Sequence, residues 1–259
     1  MSLHRFFLDN QVLAHETEQV FVLRLSDDDL KHAQVLRLQA GEHIAVIDAS
    51  QDYFECEVDS FDNDLMVRIC GHEQLNQDQA QVILLQGLAK GDKFDEVVRH
   101  ASEVGVAAFI PLVCERSVVK LDERKAAART ERWRSIAKSA AMQAGLPAIP
   151  EIALPTTVYE ACHLLSGASC VLVCWEEAQS LSIGQALQKA LSVTHTPRTD
   201  ARVAIVVGPE GGLTEAEVDA LSACNPQAYL VSLGPTILRT ETAGVVAPAL
   251  AIYELGGLQ

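Results

Sequence analysis

Two loops near the C-terminus contain residue types that could bind one ligand and act on it. The first spans 208–212 and reads Gly-Pro-Glu-Gly-Gly, and the second spans 233–244 and carries the polar run Arg-Thr-Glu-Thr at 239–242. Glycine and proline allow a backbone to turn tightly and to approach a ligand closely. Each loop follows an apolar run typical of a buried strand, and ligands bind at the carboxyl ends of strands in open α/β sheets. The two loops therefore predict one shared site.

Both loops resemble the cofactor-binding region of the SPOUT class of RNA methyltransferases and, within it, the RsmE family. The matching motifs are GPEGGL at 208–213 and ILRTETA at 237–243, with shorter matches at His4–Phe7, His32–Gly41, Lys90–Lys93 and Glu115–Ser117. The resemblance covers almost the whole chain. It implies an enzyme that uses S-adenosylmethionine to methylate N3 of a uridine in 16S ribosomal RNA.

The resemblance also implies which residues hold the cofactor. Backbone groups of the first loop would line the pocket, apolar side chains of the second would form a wall, and amides at the start of the last helix would favour an anionic group. The residues assigned to the cofactor are Gly208, Pro209, Glu210, Gly211, Gly212, Leu233, Gly234, Ile237, Leu238, Thr242 and Ala243. The alternative for the first loop is a tight strand-to-helix turn without a ligand.

Arg239 and Glu241 are the candidates for catalysis. Uridine N3 carries a proton at neutral pH, and methyl transfer needs its lone pair in line with the S–CH3 bond, so positioning is a large part of the catalysis. Arg239 would stabilise negative charge on the uracil or clamp a phosphate. Glu241 would accept the proton or hold Arg239 in place. The alternative is a structural ion pair that caps the last helix.

The net charge of −15 is unfavourable for a protein that binds a polyanion. The charge is uneven, because residues 1–72 carry −9, residues 82–146 carry +3 and residues 147–259 carry −7. A basic segment between acidic flanks indicates that RNA contacts are concentrated, although the basic helix predicted at 123–143 is equally explained as a solvated face. Candidates for contacts with the RNA phosphates are Arg5, Arg37, Lys90, Lys93 and Arg116.

Composition and motifs exclude several other classes. No apolar stretch approaches the roughly 20 residues of a membrane span, and the N-terminus lacks a signal-peptide pattern, so we expect a cytoplasmic protein. The seven cysteines contain no C-x-x-C and the eight histidines no H-E-x-x-H, which predicts reduced thiols and no metal. No G-x-G-x-x-G or P-loop motif follows a strand, which argues against dinucleotide or nucleoside triphosphate chemistry.

Periodicity divides the chain into two domains and a linker. Residues 1–72 have short strand patterns at 20–25, 44–48, 53–59 and 65–70, with a helix that starts at Ser26 and ends by Gly41. Residues 73–81 are polar and form the expected linker. Residues 82–259 alternate strand and helix, which predicts an α/β fold with a mostly parallel sheet and helices on both faces.

The resemblance adds features that periodicity cannot show. It implies that residues 1–72 form a PUA-like β-barrel, that residues 82–259 form a trefoil-knotted SPOUT domain with the knot at 231–243, and that the protein is a homodimer. The chain departs from the family at Thr236 and Leu146, where basic residues are usual, and near 139 and 142, where glutamates are usual. The target therefore has alternatives: another RNA base, a ribose 2′-hydroxyl, or no methylation at all in an RNA-binding ribosome-assembly module.

Overall fold

The computed structural model describes residues 3–75, 79–176 and 181–258. The chain divides into two compact units, the first formed by Met1–Gln77 with Ala141–Ala148 and the second by Asp78–Ala140 with Ile149–Gln259. The units differ from the predicted boundaries at 141–148, which the sequence pattern placed in the second domain. Of the predicted linker 73–81, residue 73 ends a strand, residue 81 begins one, and 76–78 lie outside the described residues.

The first unit is built on a five-stranded sheet. Its elements are β1 His4–Phe7, a 3-10 turn Leu13–His15, β2 Phe21–Val22, α1 Asp27–Leu36, β3 His43–Ile47, β4 Tyr53–Phe61 and β5 Leu65–Glu73. The strand order is β1-β3-β4-β5-β2; β1 pairs with β3 in parallel and the other pairs are antiparallel. Alternate side chains of β4 are buried, which leaves one face of this strand for the apolar core.

Helix α1 begins at the predicted N-cap and ends before Gly41. Ser26 accepts a hydrogen bond from the backbone amide of Asp29, and acidic residues fill the first turn. The helix stops at Leu36, because Arg37 adopts a left-handed conformation with φ of 56°. The helix therefore ends before Gly41, as the sequence pattern predicts.

The segment 141–148 completes the first unit. One guanidinium nitrogen of Arg5, Nη1, donates to the carbonyl oxygens of Gly145 at 2.5 Å and Leu146 at 2.6 Å. Met142 packs against the apolar core of the same unit. These contacts explain why the segment belongs to the first unit although it lies far along the chain.

The second unit contains a seven-stranded sheet in which every strand pairing among the described residues is parallel. The strand order is β12-β10-β11-β6-β7-β8, with β9 also paired to β7. The elements are β6 Gln81–Gly87, α2 Lys93–Glu103, β7 Ala108–Val113, α3 Glu123–Ala144, β8 Glu151–Ile152, β9 Thr156–Thr157, α4 Val158–Leu165, β10 Cys170–Cys174, α5 Ile183–Thr194, a 3-10 turn Arg198–Asp200, β11 Arg202–Val207, α6 Glu215–Ala223, β12 Ala228–Val231 and α7 Thr240–Leu255.

Helices cover both faces of this sheet. Along β11, Val203, Ile205 and Val207 belong to an apolar cluster with residues of α2, α5 and α7. The alternating residues Ala204 and Val206 belong to a second cluster with residues of α4 and α6. The predicted α/β architecture, with a mostly parallel sheet and helices on both faces, is confirmed. No helix among the described residues is long and apolar enough to cross a bilayer.

Helix α2, whose first turn faces the loops described below, is anchored by a buried aromatic. Trp133 of α3 packs on Phe94, with ring centroids 4.4 Å apart, and its indole Nε1 donates to Asp95 Oδ1 at 2.8 Å. Arg132 forms an ion pair with the same carboxylate. These contacts fix the position of α2 and therefore of Lys93 at its start.

Candidate active site

A cleft of about 380 Å³ lies at the carboxyl ends of β10, β11 and β12. The register aligns Cys174, Val207 and Val231 at the ends of these strands, so the loops that follow them meet. This volume falls within the range of roughly 300–1,000 Å³ typical of small-ligand sites. The cleft is lined by residues 174–176, 207–210, 212–213, 231–240 and 243.

The two loops predicted to share one ligand do line one cleft. Of the residues assigned to the cofactor, the cleft is lined by Gly208, Pro209, Glu210, Gly212, Leu233, Gly234, Ile237, Leu238 and Ala243. Gly211 and Thr242 do not line it. Ile237 is 85% exposed, so an apolar surface at the mouth of the cleft is available to a ligand. The contacts of each residue with a cofactor stay predictions.

The first loop can take its path because glycine stands where another backbone passes. A Cβ on Gly87, the last residue of β6, would lie 2.3 Å from the backbone nitrogen of Pro209. Gly212 has φ of +70°, a conformation that side chains with a Cβ rarely adopt, and its amide donates to Pro209 O at 2.9 Å. Thr214 then begins α6 as the N-cap of a capping box with Glu217.

Arg116 holds the first loop from outside the cleft. Its Nη1 donates to the carbonyl oxygens of Gly211 and Leu213, both at 3.1 Å. A Cβ on Gly211 would lie 3.0 Å from the Cβ of Arg116, so this glycine permits the close approach. The neighbouring Glu115 is fixed in turn, because its backbone amide donates to the buried carboxylate of Glu217 at 2.8 Å. Arg116 therefore shapes the loop, and its predicted contact with RNA remains untested.

Glu210 connects the first loop to the start of α2. Its Oε1 accepts from the backbone amide of Lys90 at 3.0 Å and from Lys93 Nζ at 2.9 Å. Lys93 Nζ also lies 3.6 Å from Glu241 Oε2. Desolvation alone would raise the pKa of Glu210, but the hydrogen bonds from Lys93 and the backbone lower it overall. The hydrogen bond to Glu210 raises the pKa of Lys93, so both groups are held in their charged forms.

A buried hydrogen-bond chain joins both loops to the central strand. Gln86 is 1% exposed, and its Nε2 donates to Thr240 Oγ1 at 2.8 Å. Thr240 Oγ1 donates in turn to the carbonyl oxygen of Gly208 at 2.5 Å. Gly244 leaves space for the amide, because a Cβ there would lie 2.3 Å from Gln86 Oε1. The start of α7 and the first loop are therefore positioned by one side chain of β6.

The two candidates for catalysis occupy different surroundings. Arg239 is exposed and lines the cleft, whereas Glu241 is half-buried, does not line the cleft and faces Lys93. Across the described part of the chain, no ion pair joins Arg239 to Glu241 or to another carboxylate. The alternative of an Arg239–Glu241 pair capping the last helix therefore has no support in this geometry, while the catalytic roles stay predictions.

The remaining candidates for RNA contacts also differ in their surroundings. The side chains of Lys90, in the second unit, and Arg37, in the first unit, are exposed. Arg5, in the first unit, is engaged with backbone carbonyls, and burial lowers its pKa. Only Lys90 and Arg37 thus present a side chain for which the structure assigns no intramolecular hydrogen bond or ion pair among the described residues.

Sequence reasoning missed Gln86 and Gly87, and it placed Gly244 in the second loop without predicting its contact with Gln86. One signal was available for Gln86, because a polar residue stands inside the otherwise apolar strand 82–87. A buried polar side chain requires a hydrogen-bond partner. The identity of that partner, 154 positions away, could not be read from the sequence.

Comparisons with known proteins agree with the resemblance seen in the loops. A family model described as an RNA methyltransferase domain matches residues 76–252. The ribosomal RNA small subunit methyltransferase E of Bacillus subtilis (strain 168) is 33% identical, and the match covers 97% of each chain. The protein of the same name from Synechocystis sp. is 30% identical, with 83% of this chain and 67% of that protein covered.

Solved structures share the fold over nearly the whole chain. A Legionella pneumophila structure with the cofactor SAM bound has 26% identity, a TM-score of 0.79 and coverage of 98% of both chains. The ribosomal RNA small subunit methyltransferase E of Neisseria gonorrhoeae, bound to S-adenosyl methionine, has 24% identity, a TM-score of 0.77 and coverage of 97% and 98%. At 24% identity, the Neisseria gonorrhoeae structure shows that the fold is shared.

Proposed function

The chain belongs to the ribosomal RNA small subunit methyltransferase E family, and we propose that it methylates N3 of a uridine in 16S ribosomal RNA with S-adenosylmethionine as methyl donor. The observation that carries the proposal is the cleft in which both motif loops meet at the carboxyl ends of three strands. Because the target would be bacterial small-subunit RNA, free or in an assembling subunit, the protein would act in the cytoplasm.

The cleft suits an adenosyl group held mainly by the protein backbone. Gly208, Gly212 and Gly234 carry no side chain that would keep a ligand away from the main chain, and Leu233, Ile237 and Leu238 supply an apolar wall. Apolar walls with a few placed polar groups are typical of cofactor sites. When bound, the cofactor supplies a methyl group on a positively charged sulfur, which is ready for transfer to a nitrogen lone pair.

The position of Arg239 supports a role on the RNA base. Its side chain is exposed at the cleft and its backbone caps α7, which Thr240 fixes through the hydrogen bond to Gly208. A guanidinium there would stabilise the negative charge that develops on uracil when the N3 proton leaves. Glu241 would act indirectly, through Lys93. The Lys93 ammonium lies between the Glu241 and Glu210 carboxylates, so Glu241 would influence the charge of the group that holds Glu210.

We also propose the knotted topology for residues 231–243. The second loop leaves the edge strand β12, yet α7 begins beside the central strand β6, where Thr240 meets Gln86. Helix α7 then packs against α2 and α5. Such a long crossing next to the cleft is what a cofactor-binding knot requires.

Two further proposals concern the first unit and the assembly. The first unit, with its small five-stranded sheet, would be a PUA-like RNA-binding domain. The chain would form a homodimer, and the exposed Leu250 and Tyr253 of α7 supply apolar surface for a partner copy. Light scattering should then give about twice the 28.0 kDa chain mass. A fully active monomer would exclude this assembly.

Nucleoside analysis tests the reaction directly. Unmethylated 16S RNA or small subunits from a deletion strain, incubated with the protein and S-adenosylmethionine, should gain 3-methyluridine by mass spectrometry. Gain of a different methylated nucleoside would move the target to another base or ribose. Absence of calorimetric binding at millimolar cofactor would instead support a non-catalytic RNA-binding role.

A matched pair of variants separates catalysis from general charge effects. Arg239→Ala should raise the single-turnover barrier by about 2–4 kcal/mol, the size typical of losing one electrostatic donor, with a small change in cofactor affinity. Arg202→Ala removes an exposed arginine at the amino end of β11 and should be nearly silent. Equal rate losses in both variants would contradict the assignment of Arg239.

A further inference from the structure

The outer face of the sheet in the first unit brings a histidine, a thiol and two carboxylates together on three adjacent strands. His43 lies on β3, Glu55 and Glu57 on β4, and Cys70 on β5. His43 and Glu57 are cross-strand partners, and β5 pairs with the other edge of β4. The neighbours of these residues on β4, Phe54, Cys56 and Val58, point into the core. The four side chains are therefore held on one rigid surface.

The spacing of three of these side chains suits a metal ion. Ligand atoms of His43, Glu57 and Cys70 lie within 4.8 Å of one another, and Cys70 Sγ lies 3.9 Å from Glu57 Oε2. A tetrahedral zinc ion with Zn–S of about 2.3 Å and Zn–O of about 2.0 Å separates these atoms by roughly 3.5 Å. Small side-chain rotations would bring the donors to that distance.

A second carboxylate supports the histidine as a ligand. His43 Nδ1 lies 2.6 Å from Glu55 Oε1. A histidine that binds a metal almost always donates its other ring N–H to a carboxylate, carbonyl or water, which fixes the ring and its tautomer. The hydrogen bond with Glu55 occupies Nδ1 of His43. Nε2 is then the ring nitrogen available to bind an ion.

We propose that this face binds one divalent transition-metal ion of the zinc class through His43, Glu57 and Cys70, with Glu55 orienting His43. Imidazole, thiolate and carboxylate together are a zinc donor set, and three protein ligands leave a fourth position for water or a further group. The net charge of −9 on residues 1–72 adds a favourable field for a cation. Cys70 is also the one exposed cysteine of the seven. The site is independent of the methyl-transfer reaction.

Cobalt titration of the full-length protein tests the proposal. Reduced protein freed of metal with a chelator and titrated with Co²⁺ should develop a thiolate-to-cobalt charge-transfer band that saturates at one ion per chain. Zn²⁺ should then remove the band. Because cobalt absorbs in this way only when a thiolate is bound, the band reports a cysteine ligand, which the Cys70 variant then identifies. No band at saturating cobalt would overturn the proposal.

Variants locate the ligands. Cys70→Ser should abolish the band, His43→Ala and Glu57→Gln should each weaken cobalt binding at least tenfold, and Glu55→Gln should weaken it about 10- to 100-fold, the size typical of an orienting partner. His72→Ala is the matched control, because His72 lies on the same sheet beside Asp52 at 3.7 Å and outside the three-ligand cluster. Unchanged circular dichroism of the metal-free variants would show that they fold. A band that survives in Cys70→Ser, or is lost equally in His72→Ala, would refute the site.

Discussion

Replacing Thr240 with valine should damage both the stability of the second unit and its hold on the cofactor. Valine keeps the shape of threonine and removes the hydroxyl that accepts from Gln86 at 2.8 Å and donates to Gly208 at 2.5 Å. Gln86 and Gly208 then each lose a hydrogen bond. The start of α7 is no longer tied to the first loop.

The size of the effect follows from the burial of the partners. A buried polar group without a partner costs about 1–3 kcal/mol. Gln86 is 1% exposed and receives no water in exchange, whereas Gly208 is half-buried and recovers part of its loss. The sum is about 2–4 kcal/mol, which lowers the melting temperature of a unit of this size by roughly 5–15 °C. Thr240→Ser removes only a methyl group and should cost about 1 kcal/mol.

Scanning calorimetry and isothermal titration with S-adenosylmethionine measure the two effects. The cofactor dissociation constant should rise at least tenfold in Thr240→Val, because the loops no longer hold a fixed cleft, and should change little in Thr240→Ser. If valine is as stable and binds as tightly as threonine, the hydrogen-bond chain does not position the loops. If serine is as harmful as valine, loss of the methyl group costs as much as loss of the hydroxyl, and the hydrogen-bond chain is not the main contribution of Thr240.

Other consequences of the site can be measured in the same way. Gly244→Ala places a Cβ 2.3 Å from Gln86 Oε1 and should destabilise by about 1–3 kcal/mol in thermal unfolding, whereas Gly167→Ala meets nothing within 4 Å and should be nearly neutral. Arg116→Ala frees the carbonyls of the first loop, so calorimetry should show weaker cofactor binding while the far-ultraviolet spectrum is unchanged. The pKa of Glu210 is lowered on folding, so its contribution is complete above the ordinary value of 4.5 and is lost as the pH falls through the lowered value. The melting difference between wild type and Glu210→Gln should therefore vanish at acid pH, and a constant difference would contradict the ion pair.

The sequence was sufficient where structure depends on local pattern. The helix that starts at Ser26 and the strands predicted at 44–48, 53–59 and 65–70 depend on periodicity and short-range hydrogen bonding, and each is present. The meeting of the two loops also followed, because the carboxyl ends of parallel strands lie at one edge of a sheet.

Contacts between distant positions could not be predicted in this way. The hydrogen bond from Gln86 to Thr240 and the ion pair from Lys93 to Glu241 both depend on how α7 returns to the middle of the sheet. The cluster of His43, Glu57 and Cys70 could not be predicted for the same reason. Its members lie on three strands and do not have the spacing along the chain that is typical of metal ligands. Chain topology, rather than local propensity, decides these contacts.

The placement of residues 141–148 in the first unit constrains the order in which a nascent chain can fold. Arg5 is among the first residues to be synthesised. The carbonyl oxygens of Gly145 and Leu146, which accept its hydrogen bonds, are added only after more than half of the chain has been translated. Until then the apolar surface that Met142 covers stays open to other molecules, in the period when incomplete chains are most prone to aggregate. Although it begins the polypeptide, the first unit cannot finish folding before synthesis of the second is well advanced.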